Sequence, residues 1–213
     1  MKDIVLIGAG GLGREAAYMI ERINREEKKY NLLGFVVEDQ YYKPDTEVNG
    51  YPVLGSIQWL MDHSKDIVCH CAIGEPKPRR RIQELLEKNN CIFETLVDPS
   101  VEIHPTVKIG EGSYIQAECG ISVNITIGKG VLLNGAVGLG HDVTIGDYSC
   151  IMTRTVLSGH VIVGENVFMG GMAYIVPKIT IENDAVVAAG SVVFRKVKKG
   201  THVLGNPAKR VEL

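Results

Sequence analysis

Stepping by six residues from Val97 to Val193 lands seventeen times in succession on Val, Ile, Leu or Met. Four residues after each comes a small or β-branched residue, from Val101 and Val107 through Ser113, Cys119 and Ile125 to Val197. No helical period produces a six-residue phase, and plain alternation along a strand would not hold it over such a length. A hexapeptide repeat is the mark of a parallel β-helix. Each hexad supplies a short flat strand and a turn, three hexads close a triangular coil, and coils stack at the ~4.8 Å of strand pairing. Seventeen hexads make nearly six coils, hence a prism ~28 Å long. The repeated aliphatic residue points into the bore, and the small residue four positions later fills the space beside it.

Before residue 97 the pattern is different. Strand-like runs ("DIVLIG", "LLGFVVED", "DIVCHCAIG", "CIFETLV") alternate with helical runs ("GREAAYMIERINREEK", "SIQWLMDHS", "PKPRRRIQELLEKNN"). Such alternation predicts a parallel sheet with helices on its faces. The fold class expected is therefore a small Rossmann-like α/β domain over 1–96, followed by an all-β parallel β-helix with a C-terminal tail over 97–213.

The formal charge of −2 over 213 residues argues against a nucleic-acid binder. No apolar run approaches the ~20 residues of a membrane span, and "KDIVLIGAGG" reads as a strand rather than a secretory leader. The five cysteines are odd in number and form no CxxC pair, which suits reduced thiols and a cytoplasmic location. Cys69 and Cys71 fall on one face of their strand and His70 on the other. They read as structural, and no metal is expected.

"GAGGLG" places Gly8, Gly10 and Gly13 in GxGxxG spacing between a strand and a helix, where the backbone can approach a phosphate. Glu38 and Asp39 follow at the end of the second strand, where a ribose-binding acid belongs. Alone this suggests a dinucleotide, but under 100 residues cannot supply the second half of a full dinucleotide-binding domain. Lys77, Arg79, Arg80 and Arg81 open a later helix against its dipole; a bound phosphate would compensate, and a solvated surface is the commoner reason.

In the hexad frame Leu139 points inward, so His141 faces outward beside a turn. Eighteen residues on, its column holds Gly159, and Asp142 stacks beneath His160. A histidine with a carboxylate beside it is suited to general-base work on an attacking amine or hydroxyl. The acid fixes the tautomer, and Gly159 would let a thioester pass close to the base. His160 is a rival base with a supporting role; His104 reads as structural, and His63 and His202 show no constellation.

Hexads such as "IGEGSY", "IGKGVL", "IGDYSC" and "VGENVF" resemble those of the left-handed β-helix acyltransferases. The whole chain, through "IGAGGLGRE", "CAIG", "GHD" and "GNPAKRV", resembles bacterial sugar acetyltransferases of the sialic acid O-acetyltransferase, UDP-4-amino-sugar N-acetyltransferase and perosamine N-acetyltransferase kind. The resemblance implies a left-handed coil and a homotrimer with active sites between subunits. It implies that Gly11, Leu12 and Gly13 approach the diphosphate of a nucleotide-linked sugar, and that Glu38, Asp39 and Gly74 approach the nucleoside. Some relatives have histidine at the Leu12 position. It gives His141 as base and Asp142 as its modulator. It places acetyl-CoA along Cys150, Gly159, Gly171, Ala189 and Lys209, Cys150 standing where some relatives have a second histidine.

The basic tail, with Arg195, Lys196, Lys198, Lys199, Lys209 and Arg210, suits the phosphates of that cosubstrate. The expected function is acetyl transfer from acetyl-CoA to a nucleotide-linked amino sugar by direct attack, with Cys150 as covalent nucleophile the lesser route. The alternatives are O-acetylation of a sialic-acid-type sugar and a non-catalytic nucleotide-sugar-binding protein. A zinc-dependent β-helix carbonic anhydrase and a nicotinamide oxidoreductase are the rivals from other classes.

Overall fold

The computed structural model describes residues 1–212; Leu213, at the end of the second expected domain, lies outside the described residues. The chain divides into two compact units. One comprises Met1–Gly74 and Pro78–Leu96, the other Glu75–Lys77 and the chain from Val97 onward.

The first unit is built from β1 (Lys2–Ile7), α1 (Gly11–Glu26), β2 (Tyr30–Val37), β3 (Glu47–Val48), β4 (Tyr51–Ser56), α2 (Ile57–His63), β5 (Ile67–Cys71), α3 (Pro76–Lys88) and β6 (Ile92–Phe93). Its strands lie in the order β3-β4-β2-β1-β5-β6. All neighbours are parallel except β3, which pairs antiparallel with β4. The β3–β4 hairpin is absent from the sequence reading. Its turn is Asn49-Gly50, with φ of 51° and 85°, the positive pair that a tight hairpin needs. "CIFETLV", read as one strand, is split into Ile92–Phe93 and Leu96–Val97.

The core sets Val5, Ile7, Val36, Cys69 and Cys71 of the sheet against Ile82 and Leu86 of α3. Burial pushes the Cys71 thiol up to about 12, so it is an inert packing group. Arg79 corrects the surface reading of the basic run. Its side chain is buried, and Nη1 donates to the carbonyls of Ile73 at 2.7 Å and Gly74 at 2.9 Å. A buried guanidinium that donates to two loop carbonyls is not a solvated surface charge.

The second unit is a parallel β-helix. Two-residue strands pair at intervals of 18 along three faces. One face aligns Gly120, Gly138, Val156, Tyr174 and Val192. A second aligns Lys108, Thr126, Thr144, Ile162 and Thr180. The third includes Tyr114, Leu132, Cys150, Phe168 and Val186. All seventeen repeated aliphatic residues belong to one core, with Val97, Ile103, Ile109 and Ile121 only partly buried.

The companion positions explain themselves locally. Ser113, Ser149 and Thr155 are fully buried, yet each hydroxyl donates to a turn carbonyl fifteen residues on, at 2.7–3.0 Å. A small polar residue thus fits the bore without an unsatisfied group. The chain ends in an antiparallel hairpin, His202–Leu204 with Lys209–Val211. Among the described residues no helix is long and apolar enough to cross a membrane.

Candidate active site

The site begins with the corner geometry of the coil. Asn124, Asp142, His160 and Lys178 occupy one corner, 18 residues apart, all in the left-handed region with φ of 57°, 60°, 60° and 65°. Adjacent corners are tied by backbone bonds, His160 N–H to His141 carbonyl at 3.0 Å and Lys178 N–H to Gly159 carbonyl at 3.0 Å. The polar side chains of this column therefore stand over one another on a rigid frame.

His141 Nδ1 lies 2.7 Å from Asp142 Oδ2. The ionised carboxylate only accepts, so Nδ1 carries the ring proton and Nε2 presents a lone pair. Asp142 is held in turn. Asn124 Nδ2 donates to Oδ1 at 3.2 Å, leaving Oδ2 for the imidazole. His160 Nε2 stands 3.7 Å from the same Oδ2, and its ring meets that of His141 edge-on, with centroids 5.0 Å apart. The hydrogen bond from His141 foremost, then that from Asn124 and the nearby His160, hold the Asp142 carboxyl below the usual carboxylate range. Both histidines are exposed, so the dyad faces solvent.

Gly159 lies against the ring of His141. A Cβ built there would lie 2.6 Å from Nε2 and 2.7 Å from Cε1 of His141. The imidazole of His141 fills the space that the missing side chain leaves at Gly159. Cys150 is fully buried in its strand, with its thiol out of reach of solvent. Gly171 is half-buried, close to the carbonyl of Thr153, while Ala189 and Lys209 are exposed.

In the first unit, α1 begins at Gly11 with no side-chain cap and no acid in its first turn. Such an end attracts an anion. Gly10 and Gly11 face open space. Gly13 does not: it is buried, and a Cβ there would overlap the carbonyl oxygen of Gly8. Its missing side chain lets α1 pack closely against the Gly8 carbonyl, just beyond the end of β1. Leu12 is half-buried. Glu38 and Asp39 border an open cleft of about 580 Å3 that also includes Ile57, Gln58, Met61 and Arg81. Arg81 Nη2 reaches Glu38 Oε2 at 3.0 Å, a pairing the sequence reading missed. Gly74 is exposed, with its carbonyl taken by Arg79.

A stacked His–Asp dyad on a hexapeptide β-helix defines a class, the acetyltransferases of that fold, and known proteins narrow it. Residues 3–86 match the PglD N-terminal domain family. The chain is 28% identical to GDP-perosamine N-acetyltransferase of Escherichia coli O157:H7, with 97% of this chain and 95% of that protein aligned. The acetyltransferase domain of PglB from Neisseria gonorrhoeae superposes with a TM-score of 0.89 at 27% identity, covering 99% of this chain and 100% of that one. PerB of Caulobacter crescentus, solved with CoA and GDP-perosamine, gives 0.86 at 27% identity, covering 99% and 97%. The H141N and H141A variants of that enzyme, in its own numbering, give 0.77 and 0.74. Over nearly its full length the chain is similar to these β-helix sugar acetyltransferases.

Proposed function

We propose that this protein transfers an acetyl group from acetyl-CoA to the free amine of a nucleotide-linked sugar, with His141 as general base. One observation carries the assignment. Asp142 accepts from Nδ1 at 2.7 Å, which leaves Nε2 as a proton acceptor on a rigid corner open to solvent. The amine nitrogen attacks the thioester carbonyl carbon while Nε2 takes its proton. The tetrahedral intermediate collapses, the carbon–sulfur bond breaks, and the leaving thiolate takes the proton back from Nε2. Asp142 steadies the imidazolium between these two steps.

The choice of an amine rests on the perosamine N-acetyltransferases to which the chain is similar over nearly its full length. The free N-terminus of α1, at Gly11 and Leu12, suits the sugar diphosphate. The cleft beside Glu38 and Asp39 suits the nucleoside. Lys209 and the exposed Ala189 suit the cosubstrate. Exposed Val156, Ile162, Met172 and Tyr174 on the prism support a trimer of this chain. Five buried cysteines, none of them in a disulfide, support a cytoplasmic setting.

Free-thiol release from acetyl-CoA, measured across UDP-, GDP-, dTDP- and CMP-sugars with and without a free amine, tests the reading. Release is expected only with amino sugars. His141→Ala should lower turnover at least ~10²-fold with the fold intact. Wild-type turnover in that variant would sink the base assignment.

A further inference from the structure

We propose that His141, Asp142 and His160 bind one divalent transition-metal ion of the zinc type, and that this ion and the general base exclude one another. Each of the three residues offers one ligand atom, and these atoms all lie within 4.8 Å of one another. His141 Nδ1 is 2.7 Å and His160 Nε2 is 3.7 Å from Asp142 Oδ2. Bonds of ~2.0–2.2 Å around a tetrahedral ion set neighbouring donor atoms ~3.3–3.6 Å apart. Small side-chain rotations on an unchanged backbone reach that spacing.

Two imidazoles and a carboxylate match the intermediate softness of zinc, cobalt and nickel ions rather than calcium or magnesium. The three side chains are 56%, 36% and 51% exposed, so water could complete the coordination. The corner that presents them is fixed by the backbone bond from His160 to His141. All five cysteines are buried, so the thiolates that most often compete for zinc are withheld.

The consequence follows from the tautomer. In the free dyad the ring proton sits on Nδ1 and Nε2 accepts. A metal bound between Nδ1 and Oδ2 takes the Nδ1 lone pair, so the one proton of the neutral ring moves to Nε2. The Asp142 hydrogen bond is exchanged for a metal bond, and charge balance needs no further reactant. Nε2 then carries N–H and has no lone pair with which to accept a proton from an amine. The ion is an inhibitor and not a cofactor. This second half rests on the base assignment above; the binding half does not.

Metal-free protein titrated with Co2+ should develop visible absorption at one ion per chain, and equilibrium dialysis with Zn2+ should give the same stoichiometry. His160→Ala and Asp142→Asn should each weaken binding at least ~10-fold, while His104→Ala, a histidine outside the cluster, should not. In the acetyl-transfer assay Zn2+ should inhibit the wild type, with recovery on adding EDTA. Cobalt binding that His160→Ala leaves unchanged overturns the site. One bound zinc without inhibition overturns the exclusion. A His141→Ala variant that loses cobalt but keeps turnover retains the metal site and removes the base assignment instead.

Discussion

A methyl group at position 159 would stand 2.6 Å from Nε2 of His141, so the imidazole must tilt to admit it. A base displaced by ~1 Å is expected to cost ~10²-fold in turnover. Gly159→Ala is therefore predicted to lose about that much kcat while the β-helix melts as before, measured by steady-state kinetics beside circular dichroism. An unchanged kcat would show that the ring does not work from the position seen here. Asn124 calls for a gentler test. Asn124→Gly removes the amide that holds Asp142 Oδ1 but keeps a residue that accepts φ of 57°. A fall of ~3–10-fold in kcat with little change in KM is expected, and a change confined to KM would speak against positioning. The sequence reached this column from above, because adding 18 to 142 gives His160. Subtracting 18 gives Asn124 by the same rule, an uncharged residue with no chemistry of its own to mark it. The part played by Gly159 could not be read that way, since it depends on which rotamer the imidazole adopts.

At the scale of elements, the two glycines of the α1 turn should behave oppositely. Gly13→Ala drives a methyl group into the Gly8 carbonyl, and overpacking of this sort costs ~1–3 kcal/mol. Gly11→Ala meets nothing within 4 Å. The first is predicted to lower the melting temperature of the first unit. The second should leave stability alone and act, if anywhere, on the KM for the nucleotide sugar. Equal melting of the two variants would refute the packing account of Gly13. The GxGxxG spacing was legible, but spacing alone cannot say which glycine packs and which faces a ligand. Periodicity made the prism legible because each coil repeats the same burial, so seventeen positions carry one message. The α/β unit has no such redundancy. Its β3–β4 hairpin has its Asn49-Gly50 turn in plain view, yet its strands are too short and too mixed to alternate visibly. Arg79 looked like a surface charge because its acceptors, the carbonyls of Ile73 and Gly74, exist only once the loop before α3 has folded.

For the molecule as a whole, His70 sets how stability should respond to acid. It is fully buried on β5, with Nδ1 3.0 Å from the Glu94 carbonyl. Burial is the largest influence, and the positive charge of Arg79 acts with it; the Glu94 carbonyl and carboxylate pull the other way. The net result brings His70 down to about 4. Unfolded, the ring titrates at its ordinary value of 6.5. Between those values the unfolded chain binds a proton that the folded chain refuses. The contribution of His70 is therefore fully present above pH ~6.5, falls as the pH drops towards ~4, and amounts to ~3 kcal/mol over the window. Glu94 titrates lower. Burial alone would raise it, but the Tyr30 hydroxyl and Lys2 outweigh burial and hold it below its ordinary 4.5, so its share is lost only under more acid conditions. The single tryptophan, Trp59, lies in the same unit on α2 and reports its unfolding directly. Trp59 stacks on the His63 ring, with centroids 4.3 Å apart. The urea midpoint at each pH is the readout. It should fall steadily from pH 7 to pH 5 in the wild type. In His70→Asn, which keeps an N–H donor but does not titrate, the fall should be much shallower, from whatever starting stability the substitution leaves. A wild-type midpoint that is flat over this range, or a variant with the same slope, would mean that the acid response of this unit originates elsewhere.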